Sequence, residues 1–440
     1  MKDIADVTAC VIDRGTFWPV ATRLARDCKK VYYHNPNGDQ FKTVAKNCLG
    51  YGHEDVELID DGYWKIKNEI DLWVFPDCDD HGLQWQLESE HRPVWGSKDA
   101  YAEETMRGVW IETCERIGLP MPRTHVIKGL TNLRLFFREH ERETFFVKIS
   151  TFRGDCETFK ACEPCAIENK LDVLALKFGP FKESRTFYVQ EPIDTDIEGG
   201  ADSYYVNGDY PNKIILGYER KGESYFATWK DREDMPPEIW KSSEAIAPLL
   251  AGYNYCNMVS SEVWVKQHPE HRIGDSESFM LDPCLRFPSP AGEEELEMYE
   301  NFSEIIYRGA CGEMVQPEMA AKFCGEAVIA YCGDREGWKS IQVPEEVRRW
   351  VKLYACGYED GAYHFPPSQD PDAIGCAVAL GDTPEEVVDK LKEISEALED
   401  CAVELKIEPM AHLFKEIEEA KKQGIEFSEQ EIPEPEIVIN

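Results

Sequence analysis

The residues best suited to chemistry in this chain are charged side chains that follow short apolar segments: Lys148, Glu191, Glu262, Asp282 and Arg286. Each of them, taken alone, is most simply a solvated charge at the end of a strand. Taken in order, they offer cations that can bind phosphate and carboxylates that can bind Mg²⁺. The set therefore indicates chemistry on a phosphorylated ligand, where catalysis depends on positioning and charge neutralisation.

The elements that must position these residues begin with alternating strand-like and helix-like segments in the first hundred residues. Apolar strand candidates lie at Ala9–Ile12, Lys30–Tyr33, Asp71–Phe75 and Val94–Trp95. This alternation predicts an α/β fold that starts with a small parallel sheet covered by helices on both faces. No Gly-x-Gly-x-x-Gly motif follows the first strand, so a dinucleotide-binding domain is not indicated.

In the middle of the chain, Lys98–Ile117 reads as one helix that Gly118 terminates. Strand candidates follow at Glu143–Ile149, Phe187–Ile193, Ser261–Lys266 and Ser278–Leu281. Further along, Thr383–Glu386 has a capping residue, Pro at the first helical position and Glu at the third, which predicts the start of another helix.

Composition narrows the classes of partner. With 48 basic and 84 acidic residues the formal net charge is −36, which disfavours nucleic acid and anionic membranes. No apolar run approaches the roughly 20 residues that a membrane span needs. The 16 cysteines are scattered, mostly within apolar runs, which is typical of a reducing compartment and predicts a cytoplasmic protein.

Three cysteines lie close together in the sequence, at Cys156, Cys162 and Cys165. Such a cluster could bind zinc, but neither a second Cys-x-x-Cys pair nor a nearby histidine completes the usual four ligands. The sequence does not decide whether the cluster binds anything.

The charged residues and the segments around them resemble the ATP-grasp superfamily. Residues 96–122 resemble the family's opening helix and the Gly-hydrophobic-Pro-x-Pro turn after it, and Arg107 stands where a nucleotide-contacting cation is expected. The strand that ends in Lys148 resembles the one that carries the second phosphate-binding lysine. Residues 150–154 lie where the family has a flexible glycine-containing loop over the phosphates, and residues 150–165 are the candidate lid.

The resemblance extends through the expected adenine and ribose contacts. Val189–Ile193 resembles the family's hinge strand, where backbone groups read adenine, which makes Gln190, Glu191 and Ile193 ATP-binding residues. Seven residues after Glu191, Glu198 matches the acid that accepts the ribose hydroxyls.

The two last strands of the motif carry the implied metal site. By resemblance, Glu262 and Asp282 bind Mg²⁺ or Mn²⁺, and Arg286 is the catalytic cation at the transferred phosphoryl group. Cys284 stands where the family has Asn, and a thiol is a poor ligand for a hard cation.

The implied organisation has four parts. They are a Rossmann-like domain before the ATP-grasp fold (1–97), the N-terminal ATP-grasp subdomain (98–190), its C-terminal subdomain (191–330) and a C-terminal α/β extension with an acidic tail (331–440). The pattern at 374–386 is similar to the last domain of the glycinamide ribonucleotide synthetase branch.

The resemblance implies an ADP-forming carbon–nitrogen ligase that joins a small carboxylate to an amine through an acyl phosphate. Asp202, Tyr204, Glu219 and Lys221 are candidate substrate contacts, although the segments that hold them could equally be exposed hairpins. Two alternatives remain: a phosphotransferase that forms no amide, and an inactive nucleotide-binding regulator. The substrates and the pathway are open, and symmetry makes a homodimer the commonest oligomer.

Overall fold

The computed structural model describes residues 1–36, 49–53, 55–59, 63–150, 158–162, 164–195, 197–267, 276–333, 337–366 and 373–433. No helix among these residues is long and apolar enough to cross a membrane. Half of the predicted lid (150–165), including Cys156, lies outside the described residues.

The N-terminal part is a parallel five-stranded sheet in the order β3-β2-β1-β4-β5. Its strands are β1 (Thr8–Ile12), β2 (Lys30–His34), β3 (Val56–Ile59), β4 (Leu72–Val74) and β5 (Val94–Trp95), and its helices are α1 (Trp18–Leu24), α2 (Tyr63–Ile66) and α3 (His81–Ser89). The predicted parallel sheet is confirmed.

At the end of β1, the buried Asp13 carboxylate accepts hydrogen bonds from the backbone N–H groups of Gly15 and Phe17 and from the Tyr33 hydroxyl. A carboxylate, rather than a glycine-rich phosphate loop, therefore organises this turn.

The predicted single helix over 98–117 is wrong in one respect that matters for the site. The segment divides into α4 (Tyr101–Thr105) and α5 (Arg107–Ile117), because Met106 between them is extended, with φ −115° and ψ 93°. Arg107 therefore opens a new helix. Gly118 ends α5 with φ 76°, a left-handed conformation that glycine adopts without strain, as predicted.

The next unit is a four-stranded antiparallel sheet in the order β6-β9-β7-β8. Its elements are β6 (Thr124–Lys128), α6 (Leu130–Glu139), β7 (Phe145–Ile149), β8 (Thr158–Ala161), α7 (Pro164–Phe178) and β9 (Thr186–Gln190). Leu133, Phe145, Leu171 and Phe187 form its separate apolar core. The packing of both helices on one sheet face holds the ends of β7 and β9 in place.

A nine-stranded sheet forms the centre of the molecule, in the order β14-β13-β10-β11-β12-β15-β20-β17 with β21 also pairing with β15. Its strands are β10 (Glu198–Tyr205), β11 (Lys213–Arg220), β12 (Ser224–Asp231), β13 (Asn257–Gln267), β14 (Ser276–Cys284), β15 (Phe323–Tyr331), β17 (Val351–Leu353), β20 (Ala373–Gly381) and β21 (Val403–Leu405). A small sheet contains β16 (Lys339–Ile341), β18 (Gly357–Glu359) and β19 (Ala362–Phe365).

Six helices accompany the central sheet. They are α8 (Pro237–Gly252), α9 (Gly292–Met298), α10 (Phe302–Ala310), α11 (Glu345–Arg348), α12 (Pro384–Ala397) and α13 (Met410–Lys422). The predicted start of α12 is confirmed, since the Thr383 side chain accepts a hydrogen bond from the Glu386 backbone N–H and Pro384 is the first helical residue.

The two faces of the central sheet differ in chemistry. Strand side chains alternate between faces, so the register assigns each residue to a side. Tyr218, Phe226 and Val263 share one face, which is apolar and fully buried, and Phe226 packs edge-on against Phe414 of α13. The other face carries carboxylates, and we call it the carboxylate face: Glu198, Asp202, Glu219, Glu262, Asp282 and Glu326.

Candidate active site

Residues from both antiparallel sheets line a cavity of about 430 Å³, the first cavity. Its volume is in the range of small-molecule sites. The members that could contact a ligand come from the ends of β7 and β9, the segment after β9, and β8, β10, β11, β13 and β14: Phe146, Lys148, Lys160, Gln190, Glu191, Ile193, Glu198, Lys221, Glu262, Trp264 and Asp282. Apolar walls and charged ends suit a flat base joined to phosphates.

A second cavity of about 380 Å³ adjoins the first. The two share four lining residues: Thr158, Lys221, Glu262 and Asp282. Glu104, Arg107, Glu219, Cys284, Arg286 and Ser289 belong to the second cavity alone. Ligands bound in the two cavities would therefore meet at the carboxylates of Glu262 and Asp282.

Asp282 joins the predicted phosphate-binding cations to the predicted metal site. The Lys148 Nζ lies 2.9 Å from Asp282 Oδ2, although the two residues are 134 positions apart in the chain. The Arg107 guanidinium forms an ion pair with the same carboxylate. Lys148 is only 4% exposed, so its charge needs a close partner, and Asp282 supplies it.

Glu262 and Glu198 form a carboxyl pair on neighbouring strands. Burial and the charge of Glu262 raise the pKa of Glu198 to about 9. Burial also opposes ionisation of Glu262, but Lys221, Lys148 and the hydrogen bond from Glu198 outweigh it and lower its pKa. These opposite shifts favour one proton shared between the two carboxyl groups, at a place where a divalent cation could bind instead.

Glu219 and Lys221 follow each other on β11 and its end. The Lys221 Nζ lies 3.9 Å from Glu262 Oε2. Burial and the charge of Glu262 raise the pKa of Glu219 to about 7. Among the described residues, the Glu219 side chain has neither a hydrogen bond nor an ion pair, so its carboxylate is available to a ligand in the second cavity.

The predicted hinge residues lie at the mouth of the first cavity. β9 ends at Gln190, whose side-chain amide donates to the Thr124 hydroxyl at 3.2 Å. The Glu191 backbone N–H donates to the Arg123 carbonyl oxygen, and the Glu191 carboxylate forms an ion pair with the guanidinium of the same arginine at 3.2 Å. Ile193 follows in an irregular segment, where its carbonyl oxygen accepts a hydrogen bond from the Thr195 backbone N–H at 3.0 Å.

Arg286 lies at the far side of the second cavity. Its Nε donates to Glu104 Oε1 at 3.0 Å and lies 3.9 Å from Asp77, and its guanidinium stands over the Phe17 ring. Cys284, two residues earlier, also lines this cavity, with its Sγ 3.9 Å from the Arg286 carbonyl oxygen. A thiol thus faces the carboxylates where an oxygen ligand was expected.

Two predicted substrate residues are not brought to either described cavity. Asp202 is 1% exposed and accepts a hydrogen bond from the Tyr225 hydroxyl. Tyr204 is fully buried against Trp95 and Tyr299, and its hydroxyl donates to the Val315 carbonyl. Both residues share the carboxylate face with the site but lie deeper in the molecule.

Cys162 and Cys165 are both exposed, between β8 and the first turn of α7. Within the described part of the chain, no group of three or more His, Cys, Asp and Glu side chains is placed to hold a metal ion. The metal prediction consequently rests on the pair Glu262 and Asp282, with phosphate oxygens needed to complete the ligands.

The structure adds site residues that the sequence did not indicate: Lys160, Trp264, Glu104 and Ser289. Lys160 of β8 is the register partner of Phe146 of β7. If β8 had been recognised in the sequence, the alternation of its side chains would have placed Lys160 on the same face as Phe146. Glu104 is recognisable only from its contact with Arg286, because one acidic residue in an acidic helix carries no signal of its own.

No protein-family model and no curated protein sequence matches the chain. Solved structures do. Phosphoribosylamine–glycine ligase from Thermotoga maritima is similar over 91% of this chain and 98% of its own, with a TM-score of 0.63 and 16% identity. L-amino acid ligase from Bacillus licheniformis matches over 91% and 98%, with a TM-score of 0.59 and 13% identity.

A third similar structure was determined with nucleotide. It is carboxyaminoimidazole ribonucleotide synthase from Aspergillus clavatus complexed with ATP, which matches over 90% of this chain and 99% of its own, with a TM-score of 0.60 and 11% identity. Identities this low show the fold alone. The chain has the ATP-grasp fold with a Rossmann-like sheet before it, as predicted.

Proposed function

We propose that this protein is an Mg-ATP-dependent ligase that joins a small-molecule carboxylate to an amine through an acyl phosphate. The observation that carries this proposal is the meeting of two cavities at Glu262 and Asp282, beside Lys148 and Arg107. One cavity suits a nucleotide and the other suits a second substrate. Group transfer needs such an arrangement, because the reacting atoms must meet while water is excluded.

ATP would occupy the first cavity. Backbone groups from Gln190 to Ile193 would contact adenine, and Glu198 would accept the ribose hydroxyls. Lys148 and Arg107 would exchange their carboxylate partner, Asp282, for phosphate oxygens. The exchange keeps every buried charge compensated before and after the nucleotide binds.

Glu262 and Asp282 fit a divalent cation, because both supply carboxylate oxygens and face each other as register partners on β13 and β14. The proton shared by Glu198 and Glu262 marks a position where positive charge is favoured. When bound, Mg²⁺ would neutralise phosphate charge that develops during transfer. Cys284 contributes no hard oxygen donor, so the metal would depend on two carboxylates, phosphates and water.

The chemistry balances in two steps. A substrate carboxylate oxygen attacks the γ-phosphorus, the bond to the β–γ bridging oxygen breaks, and ADP leaves. The amine nitrogen then attacks the acyl carbon, the carbon–oxygen bond to phosphate breaks, and the amine loses one proton. Arg286, which lines the second cavity, would stabilise negative charge on the transferred phosphoryl group.

Among the predicted substrate contacts, Glu219 and Lys221 line the second cavity and are proposed to bind the substrates directly. Asp202 and Tyr204 would act on the substrate side only through the side chains in front of them, since both are buried. The amine substrate is assigned to Glu219, because the carboxylate of this side chain has no hydrogen-bond or ion-pair partner among the described residues.

The test is ADP release by purified protein with Mg²⁺ and ATP against a matrix of carboxylates and amines, with the product mass recorded. Formation of ADP, phosphate and an amide supports the proposal. ADP with a phosphorylated acceptor and no amide would establish the phosphotransferase instead. Failure to bind Mg-ATP by calorimetry would overturn both enzymatic functions.

Asp282→Asn should lower turnover by about 10²-fold or more, because it removes a metal ligand and the partner of two cations. Asp231→Asn is the matched control, since Asp231 is half exposed at the end of β12 and, among the described residues, forms an ion pair with Lys213 alone. Cys284→Asn should lower the Mg²⁺ concentration needed for half-maximal activity. If Cys284→Asn and the Cys284→Ser control leave that requirement unchanged, residue 284 does not contact the metal.

A further inference from the structure

A line of carboxylates continues from the second cavity into the molecule along the carboxylate face. We call Asp202, Glu219, Glu293, Glu294 and Glu326 the acidic wall. Glu219, Tyr225 and Glu326 lie side by side on β11, β12 and β15, because each is the register partner of the next. Glu219 lines the cavity, and Glu326 stands two strands deeper.

Helix α9 supplies the other part of the acidic wall and covers the same face. Glu294 Oε2 lies 3.0 Å from the Sγ of Cys324, which is two residues before Glu326 on β15. Glu293 Oε1 accepts a hydrogen bond from the Ser289 hydroxyl at 2.9 Å, and Ser289 lines the second cavity. The wall therefore reaches the cavity at both Glu219 and Ser289.

The wall contains buried oxygens that lack hydrogen-bond partners. They belong to four residues that are at most 3% exposed: Asp202 Oδ1, Glu293 Oε2, Glu294 Oε1 and Glu326 Oε2. Within the described residues, no ion pair reaches any member of the wall. An unpartnered buried oxygen costs free energy, and several together favour a positively charged ligand.

The basic residues of the second cavity have carboxylate partners already. Arg107 pairs with Asp282, Arg286 with Glu104, and Lys221 approaches Glu262. A phosphate or second carboxylate on the amine substrate would therefore have to displace one of these partners, whereas an ammonium group would meet carboxylates directly.

Burial also disfavours the ionised form of the carboxyl groups in the acidic wall, and raises their pKa values. It raises the pKa of Asp202 to about 6. Burial with the charges of Glu293 and Glu294 raises the pKa of Glu326 well above its usual range. A bound cation would offset this effect of burial by compensating the carboxylates.

We propose that the amine substrate is a diamine or polyamine, with one neutral nitrogen at the acyl phosphate and a remote ammonium group held by Glu219 and the wall behind it. This inference rests on the proposed ligase function. It defines the substrate class by its charge, because only a remote ammonium group would pair with the carboxylates that lack a partner.

The test measures binding, so it needs no knowledge of the carboxylate substrate. Titrations use the whole protein with Mg²⁺ and a non-hydrolysable ATP analogue, and the probes are 1,4-diaminobutane, spermidine, butylamine and phosphoethanolamine. The diamine should bind about tenfold or more tightly than butylamine, which lacks the second charge. Equal binding of the two, or preferred binding of phosphoethanolamine, would overturn the inference.

Variants separate the wall from the acidic surface, which attracts any polyamine. Glu219→Gln and Glu326→Gln keep side-chain size and should each weaken diamine binding by about fivefold or more, and weaken butylamine binding less. Glu304→Gln removes the same charge from an exposed position on α10 and should change neither. If Glu304→Gln weakens diamine binding as much as the wall variants do, the effect is general surface charge and the inference fails.

The outcomes also separate this inference from the function on which it rests. If the nucleotide analogue binds and the diamine shows no preference, the ligase proposal stands and the polyamine class is rejected. If no nucleotide binds, the ligase proposal fails whatever the amine titration shows. Thermal unfolding of each variant checks that the fold is intact.

Discussion

Helix α9 carries two kinds of buried carboxylate within little more than one turn. Glu297 has no exposed side-chain surface and forms ion pairs with Lys352 at 2.5 Å, Arg26 at 2.7 Å and Arg349 at 2.8 Å. Glu294, three residues earlier, is equally buried, and among the described residues its carboxyl group accepts a hydrogen bond from the Cys324 thiol and forms no ion pair. The same residue type thus occurs once with full compensation and once with none from the described residues.

The difference shows in the protonation of the two side chains. Burial opposes ionisation of Glu297, but Lys352 and Arg26 outweigh it and lower its pKa to about 2. Burial raises the pKa of Glu294 well above its usual range. A buried carboxylate that its own chain compensates serves the structure, whereas one that its own chain leaves uncompensated would gain from a positive charge brought by a ligand.

The largest expected effect comes from breaking the complete cluster. Glu297→Gln would leave the Lys352 ammonium buried without a countercharge, so the free energy of unfolding should fall by about 3–5 kcal/mol. Urea denaturation near pH 7 measures it. Glu304→Gln, which removes an exposed pair with Arg308, should change stability by about 0.5 kcal/mol or less. A loss in Glu297→Gln no larger than that would mean that the cluster is not structural.

The incomplete cluster should respond in the opposite direction. A carboxyl whose folded-state pKa is raised favours folding below its unfolded pKa, and loses that contribution as the pH rises. Glu326→Gln should therefore raise the free energy of unfolding by about 2 kcal/mol near pH 8 and by little near pH 4.5. Denaturation at both pH values measures the difference, and destabilisation at pH 8 would show that Glu326 is compensated after all.

Glu219 offers a smaller effect of the same sign, because it lies at the cavity rather than beneath it. Because the folded-state pKa of Glu219 is about 7, this carboxyl ionises in the unfolded chain at a lower pH than in the folded protein. The ligand-free wild-type protein should therefore lose stability between about pH 4.5 and pH 7. Glu219→Gln should reduce this loss in the free energy of unfolding by about 1 kcal/mol over the same pH range. Saturating diamine should reduce it in wild type too. An identical loss in variant and wild type would contradict the assigned protonation.

Local pattern predicted much of this molecule. Strand patterns singled out Lys148, Glu191, Glu262 and Asp282, which the structure brings to one cavity, and the capping sequence at Thr383 predicted a helix start to the residue. These features depend on neighbours in the chain, which a sequence displays directly. The break at Met106 was missed because nothing in the residue types there forbids a continuous helix.

The acidic wall could not be predicted in the same way. A run such as Glu293–Glu295 reads as a solvated helix face, and its burial results from α9 packing across β15 and β20, which lie later in the chain. Asp202 and Tyr204 were placed in a hairpin that could face solvent, yet β10 is a central strand of the sheet. Both features depend on strand order, which no local pattern encodes.

The smallest expected effect sharpens the comparison most. If Glu297 and Lys352 matter only because each compensates the other, replacing both by Met should return stability to within about 1 kcal/mol of wild type. Arg26 and Arg349 would lose their partner, but both are partly exposed and can be hydrated. Urea denaturation of Glu297→Met, Lys352→Met and the double variant gives the coupling free energy. A double variant as unstable as the sum of the two single variants would show that the cluster acts through packing rather than charge, and would weaken the contrast with the acidic wall.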